Sequence, residues 1–137
     1  MAYLFPTQDA GRRFMMREHT GPILMLNLIR LRTVADYSSD PELAPSSPIS
    51  GREAYQRYID HTLPFLHASG GELDLIAEGG GWLVGPEHER WDLALIVRQK
   101  DMSTFLAFDQ NAAYLAGIGH RTAAAEDTRL LPLTAYG

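Results

Sequence analysis

The sequence predicts an α+β fold, a ferredoxin-like β-α-β-β-α-β unit with an antiparallel sheet and an extra N-terminal helix. Three observations predict it. Apolar runs of strand length and two longer helical stretches follow one another in that order. The first strand, residues 22–32, is largely apolar on both faces, which marks a central strand. Finally, two helices can cover only one face of a four-stranded sheet, and the other face, carrying Leu24, Leu26 and Leu28, is left for a partner. The chain of 137 residues, 45% hydrophobic and 21% charged, suffices for one domain over 1–137 whose core needs no staples.

The elements follow from local chemistry. Thr7 caps a short helix that buries Phe14 and Met15 and ends at Gly21-Pro22. Residues 1–21 form this helical extension. In the strand that follows, Ile23, Met25, Asn27, Ile29 and Leu31 share one face. Leu24, Leu26, Leu28, Arg30 and Arg32 share the other. Residues 33–49 are rich in Pro, Ser and Asp and carry no period, so this long loop is a candidate lid. Ser50 and Glu53 form a capping box for a helix whose stripe is Ala54, Tyr55, Tyr58, Ile59, Thr62, Leu63 and Leu66. Pro64 is expected to kink it and Gly70-Gly71 to stop it.

ELDLIAE is the second strand, and Gly79, Gly80 and Gly81 mark a bulge, a bend or a hairpin. WDLALIVRQK is a third, central strand. Asp101 or Ser103 caps the next helix. Asp109 recaps it, and helix continues through NAAYLAGIGHRTAAAED, weakened at Gly117 and Gly119. TRLLPLTAY is the last strand, placed at a sheet edge by Pro132.

Several chemistries find no support. The net charge of -5 argues against nucleic acid, which needs a basic stripe. The absence of cysteine removes disulfides, thiolate nucleophiles and sulfur-ligated metals. Histidines 19, 61, 67, 88 and 120 lack metal-ligand spacing, so no metal is expected. No Gly-x-Ser-x-Gly elbow occurs, and the glycines of EGGGWLVG are not followed by the Lys-Ser/Thr of a phosphate loop. No nicotinamide or flavin fingerprint is present, and no cofactor is expected. Neither a signal peptide nor an apolar run of about 18 residues is found, so a cytoplasmic protein without membrane contact is expected.

Asn27 stands out. A carboxamide inside an apolar strand needs partners, or its burial costs about 1–3 kcal/mol. If Asn27, Tyr55 and Tyr58 meet between sheet and helix, they line a cavity with a few polar handles. The alternative is a packed core in which each is satisfied locally. Arg121 and Arg129 are candidate partners of Asp127, and an inward Arg121 is a candidate counter-ion for an anionic ligand.

MLNLIRLR (25–32), ADYS (35–38), PISGREAYQRYI (48–59), LVGPEHERWDLALIV (83–97) and HRTAAAEDTRLLPL (120–133) resemble, in order and spacing, the bacterial domain-of-unknown-function family 1330. The resemblance covers the chain from about Pro22 onward. It implies the dimeric α/β-barrel superfamily, in which two ferredoxin-like sheets pack face to face, and hence a homodimer through the sheet face. It also implies that Asn27, Arg30, Tyr55, Tyr58, Trp91, Asp92, Arg121, Asp127 and Arg129 are recurring positions. It supplies no catalytic set. Gly117 and Gly119 depart from it by loosening the last helix.

The superfamily includes cofactor-free monooxygenases and muconolactone isomerase-like enzymes, haem-binding chlorite dismutase relatives and ligand-sensing modules. Haem is not expected, since no histidine lies in an evident axial setting. The expected function is therefore a homodimeric small-molecule-binding protein, a cofactor-free isomerase or monooxygenase of an enolisable or phenolic compound. Its ligand would be held by Asn27, Tyr55, Tyr58 and Arg121. The alternative is a non-catalytic ligand-sensing or assembly module.

Overall fold

A computed structural model describes residues 2–17 and 20–136. Helix α1 (Gln8–Met16) starts where the Thr7 hydroxyl accepts the Ala10 N–H. Glu18 and His19 lie outside the described residues. Strand β1 (Ile23–Leu31) leads through the 33–49 loop to helix α2 (Gly51–Ala68). Ser50 caps α2, its hydroxyl accepting the Glu53 N–H, and the helix runs on through Pro64. Strands β2 (Glu72–Gly81) and β3 (Arg90–Gln99) form a hairpin. Three short helices follow: α3 (Met102–Asp109), α4 (Ala112–Leu115) and α5 (Gly119–Ala124). Strand β4 (Ala125–Leu133) closes the sheet.

The sheet is antiparallel with order β2-β3-β1-β4, the ferredoxin-like arrangement expected. β1 and β3 are central, and β4, with its Pro132, lies at an edge. The three glycines stay inside β2, and the bulge falls earlier, between Leu73 and Leu75. Gly79 is required there, because a Cβ would strike the Trp91 carbonyl across the hairpin.

Alternation divides the sheet cleanly. Ile23, Met25, Ile29 and Leu31 of β1 and Leu93 and Leu95 of β3 are buried beneath the helices. Ile29, Leu31, Leu93 and Leu95 pack with Tyr55, Ala54 and Ile59 of α2 and with Ala123 and Ala124 of α5. The alanines allow α5 to sit close to the sheet.

Three expectations are corrected. The last helix does not run to Asp127. Asn111, rather than Asp109, recaps the chain with bonds from Ala113 and Tyr114, and β4 begins at Ala125. Glu126 and Asp127 are therefore strand residues, not an unfavourable helix end. The 33–49 loop is no free lid. Its Ala35 and Asp36 N–H groups bond to Ile49 and Ala123 carbonyls, and Tyr37 is buried with its hydroxyl 2.8 Å from His120 Nδ1. Arg32 does not join the open face of the sheet, because the register shifts between Arg30 and Leu31 and the strand ends there.

Candidate functional site

The four residues singled out between sheet and helices separate into two groups. Tyr55 and Tyr58 stand one helical turn apart on α2, with ring centroids 5.4 Å apart. Tyr58 Oη lies 2.9 Å from Tyr114 Oη, and the Tyr114 ring packs on Phe108 at 4.4 Å. Arg121 lies beside Tyr55 and is itself buried. Its guanidinium donates to the Leu4 carbonyl at 2.7 Å and to Thr128 Oγ1 at 3.2 Å. Arg121 thus ties the N-terminal segment to β4, and it does not bond Asp127.

Asn27 stands apart from this cluster. It is half-buried, and its Nδ2 donates to the Met25 carbonyl of its own strand at 3.1 Å. Its cross-strand neighbours are Leu95 and Leu130. Asn27 lines neither the apolar groove nor the polar cleft described below.

Burial raises the Tyr55 and Tyr114 hydroxyls above the ordinary phenol value, and the neighbouring Tyr58 adds to both shifts. Neither can act as a base near neutral pH. Both remain hydrogen-bonding hydroxyls among packed rings.

The opposite face of the sheet is open. Leu24, Leu26 and Leu28 of β1 run beside Ala94 and Ile96 of β3, Leu75 and Ala77 of β2, and Leu131 and Leu133 of β4. Leu131 and Leu75 are 55% and 45% exposed, and a groove of about 310 Å³ runs between Leu26, Leu28, Arg129, Leu130 and Leu131. Charge frames this face. Arg98 grips Asp74 with two bonds of 3.0 and 3.2 Å. At the other end Asp127 takes Arg129 at 2.8 Å and Arg30 at 3.5 Å, and both guanidiniums stack on buried Trp91. Asp127 also accepts the Tyr3 N–H at 2.7 Å. Burial pushes its carboxyl up, but the bonds from Tyr3, Arg129 and Thr128 outweigh that and hold it below the ordinary value.

A third feature was missed in the sequence. Where β1 ends and α2 begins, a polar cleft of about 280 Å³ is lined by Leu31, Arg32, Thr33, Ser50, Arg52, Arg90 and Asp92. It exists because Gly51 lets α2 start against the end of β1, where a Cβ would strike the Arg32 carbonyl and approach the Ala124 carbonyl to 2.8 Å. The signal was present as Arg32 after an apolar strand and Arg52 after a helix cap, 20 residues apart. Only the closure of β1 onto α2 brings them together.

This topology, with helices on one face and an apolar sheet on the other, defines a ferredoxin-like α+β protein. The RPA0582 protein of Rhodopseudomonas palustris, a protein of unknown function, is similar over the whole chain: 30% identity, 100% of this chain and 99% of that one, TM-score 0.87. Its methylated form matches equally, with 30% identity over 99% and 96% of the two chains. The chain belongs to the family of that protein. A dimeric protein of unknown function from Bacteroides fragilis, also with a ferredoxin-like fold, matches at 12% identity over 82% of this chain and 94% of that one, TM-score 0.49. No protein-family model and no curated protein matches. Among the described residues, no helix is long and apolar enough to cross a membrane.

Proposed function

We propose that the protein is a homodimeric small-molecule-binding protein of the domain-of-unknown-function family 1330, in the dimeric α/β-barrel superfamily, acting in the cytoplasm. The single observation that carries the dimer is the open face: a continuous apolar centre on all four strands, framed by Arg98–Asp74 and by Arg30, Asp127 and Arg129. That is the anatomy of an interface, apolar within and charged at the rim. A second copy supplies the complementary surface, sheet against sheet, and the dimer is obligate. Light scattering at micromolar protein checks this: a stable, folded monomer there overturns it.

Within the protomer the packed tyrosine layer favours a binding or sensing module over an enzyme acting beside Asn27. Tyr58 and Tyr114 satisfy each other, Asn27 bonds its own strand, and Arg121 is engaged by Leu4 and Thr128. The isomerase or monooxygenase reading rests on Tyr58, the half-buried member of the cluster, as the group that meets a phenolic or enolisable compound. A thermal-shift screen against phenols, lactones and short dicarboxylates tests the small-molecule reading. Stabilisation by a phenol that Tyr58→Phe removes places the ligand at Tyr58, as the enzyme reading requires, and no stabilisation by any of the three classes or by phosphate removes ligand binding.

A further inference from the structure

We infer that the cleft between the end of β1 and the start of α2 is an anion site that takes a small dianion bearing carboxylate or phosphate groups. This rests on the small-molecule reading above and names its ligand class and its place, away from the tyrosine layer.

Three arginines line the cleft, Arg32, Arg52 and Arg90, with one acidic residue, Asp92. The chain as a whole carries -5, so this concentration of positive charge runs against its composition. Arg32 is the central member. Its Nε is buried and has no hydrogen-bond partner among the described residues. A buried donor left unbonded is unfavourable, and an acceptor that reached it would relieve that cost.

The other two arginines are lightly held. Arg52 pairs with Glu78 at 2.6 Å, both well exposed. Arg90 reaches Glu126 and Asp92, each at 3.5 Å. Exposed pairs of this kind contribute little and yield to a ligand. Asp92 is already occupied by the Leu31 N–H at 2.7 Å, which keeps one of its oxygens turned to the backbone.

Two hydroxyls complete the lining. The Ser50 oxygen accepts from Glu53 N, so its proton is free to donate, and Thr33 brings a second hydroxyl. The cleft also lies at the positive end of α2, an 18-residue helix, which adds to the field without defining the site. Planar guanidiniums recognise carboxylate and phosphate with paired bonds, and three of them exceed what one monoanion needs.

The test uses the assembled protein, with malonate and inorganic phosphate as separate probes and sodium chloride at matched ionic strength as the control. Calorimetric titration is expected to give saturable binding of at least one probe. Arg32→Gln is expected to weaken it about tenfold or more, while Arg57→Gln, on α2 but outside the cleft, leaves it unchanged. Arg52→Gln, at an exposed position, serves if Arg32→Gln does not fold. Malonate alone binding assigns a carboxylate ligand, and phosphate alone assigns a phosphate. If neither binds, or if Arg32→Gln and Arg52→Gln bind as the wild type does, the anion site is overturned. A phenol or lactone that stabilises the protein while both anions fail leaves the small-molecule reading standing and removes only this site.

Discussion

Leu28 and Ile29 are neighbours in β1, yet Ile29 is wholly buried while Leu28 borders an open groove. The same contrast runs along the whole strand. On one face Ile23, Met25 and Ile29 are buried within the protomer, and on the other Leu24, Leu26 and Leu28 lie beside cross-strand neighbours and outside the buried core clusters of the described residues. Both faces are largely apolar in sequence. The difference teaches that hydrophobicity sets how much surface must be covered, while the number of helices sets which face the protomer covers itself.

The sharpest way to break the comparison is a charge on the open face. Leu26→Glu is expected to raise the dimer dissociation constant on the order of 1,000-fold, about 4 kcal/mol, while leaving the protomer folded. Analytical ultracentrifugation with circular dichroism reads both. A dimer of wild-type strength in Leu26→Glu means that this face is not the contact.

The matching change on the covered face works the other way. Ile29→Ala removes a fully buried side chain beneath the helices. It is expected to cost about 3 kcal/mol in chemical denaturation through lost burial and a cavity, with the mode of association unchanged. A cost below about 1 kcal/mol would show that this layer is looser than its burial implies.

Asp127 joins the two regions, since it holds the rim arginines and the Tyr3 backbone together. Asp127→Asn is expected to cost about 2 kcal/mol, because it leaves two guanidiniums poorly paired. The pH dependence has a definite sign. The folded carboxyl titrates below its ordinary value of 3.8, so the folded state binds this proton less readily than the unfolded state. Its contribution is fully present above about pH 5 and fades as pH falls through 4 and below. Asp127→Asn should flatten that part of the stability profile, and an unchanged acid slope would place the effect on other carboxylates.

How much of this was legible follows the range of the interactions. The strands, the Ser50 and Asp101 caps and the uncovered leucine face depend on local period and turn chemistry, and they were readable. The start of β4 was not, because Ala123, Ala124 and Ala125 continue a helical pattern. The switch to strand at Ala125 is imposed by pairing with β1 at Leu31. Arg121 was named as a candidate ligand group, but its partners, Leu4 and Thr128, lie 117 and 7 residues away and no spacing rule connects all three. The arginine cleft escaped for a related reason. Face alternation assigned Arg32 to the open sheet, and the register shift after Arg30 turned it aside.

Asn27 is the finest probe of the covered face, and the expected effect is the smallest. Its bond is short-range, from Nδ2 to the Met25 carbonyl, and its cross-strand neighbours are leucines. Asn27→Leu gives up about 1 kcal/mol of hydrogen bonding and gains apolar contact with Leu95 and Leu130. The two nearly cancel, so the unfolding free energy should change by less than about 1 kcal/mol and the dimer by nothing measurable. Binding of malonate or phosphate should also be unaffected, since the arginine cleft lies at the far end of the strand. If the substitution instead abolishes binding of a phenol while stability is kept, Asn27 holds a ligand and the covered face is no longer only a core. That outcome would move the functional centre of the protomer from the end of β1 to its middle.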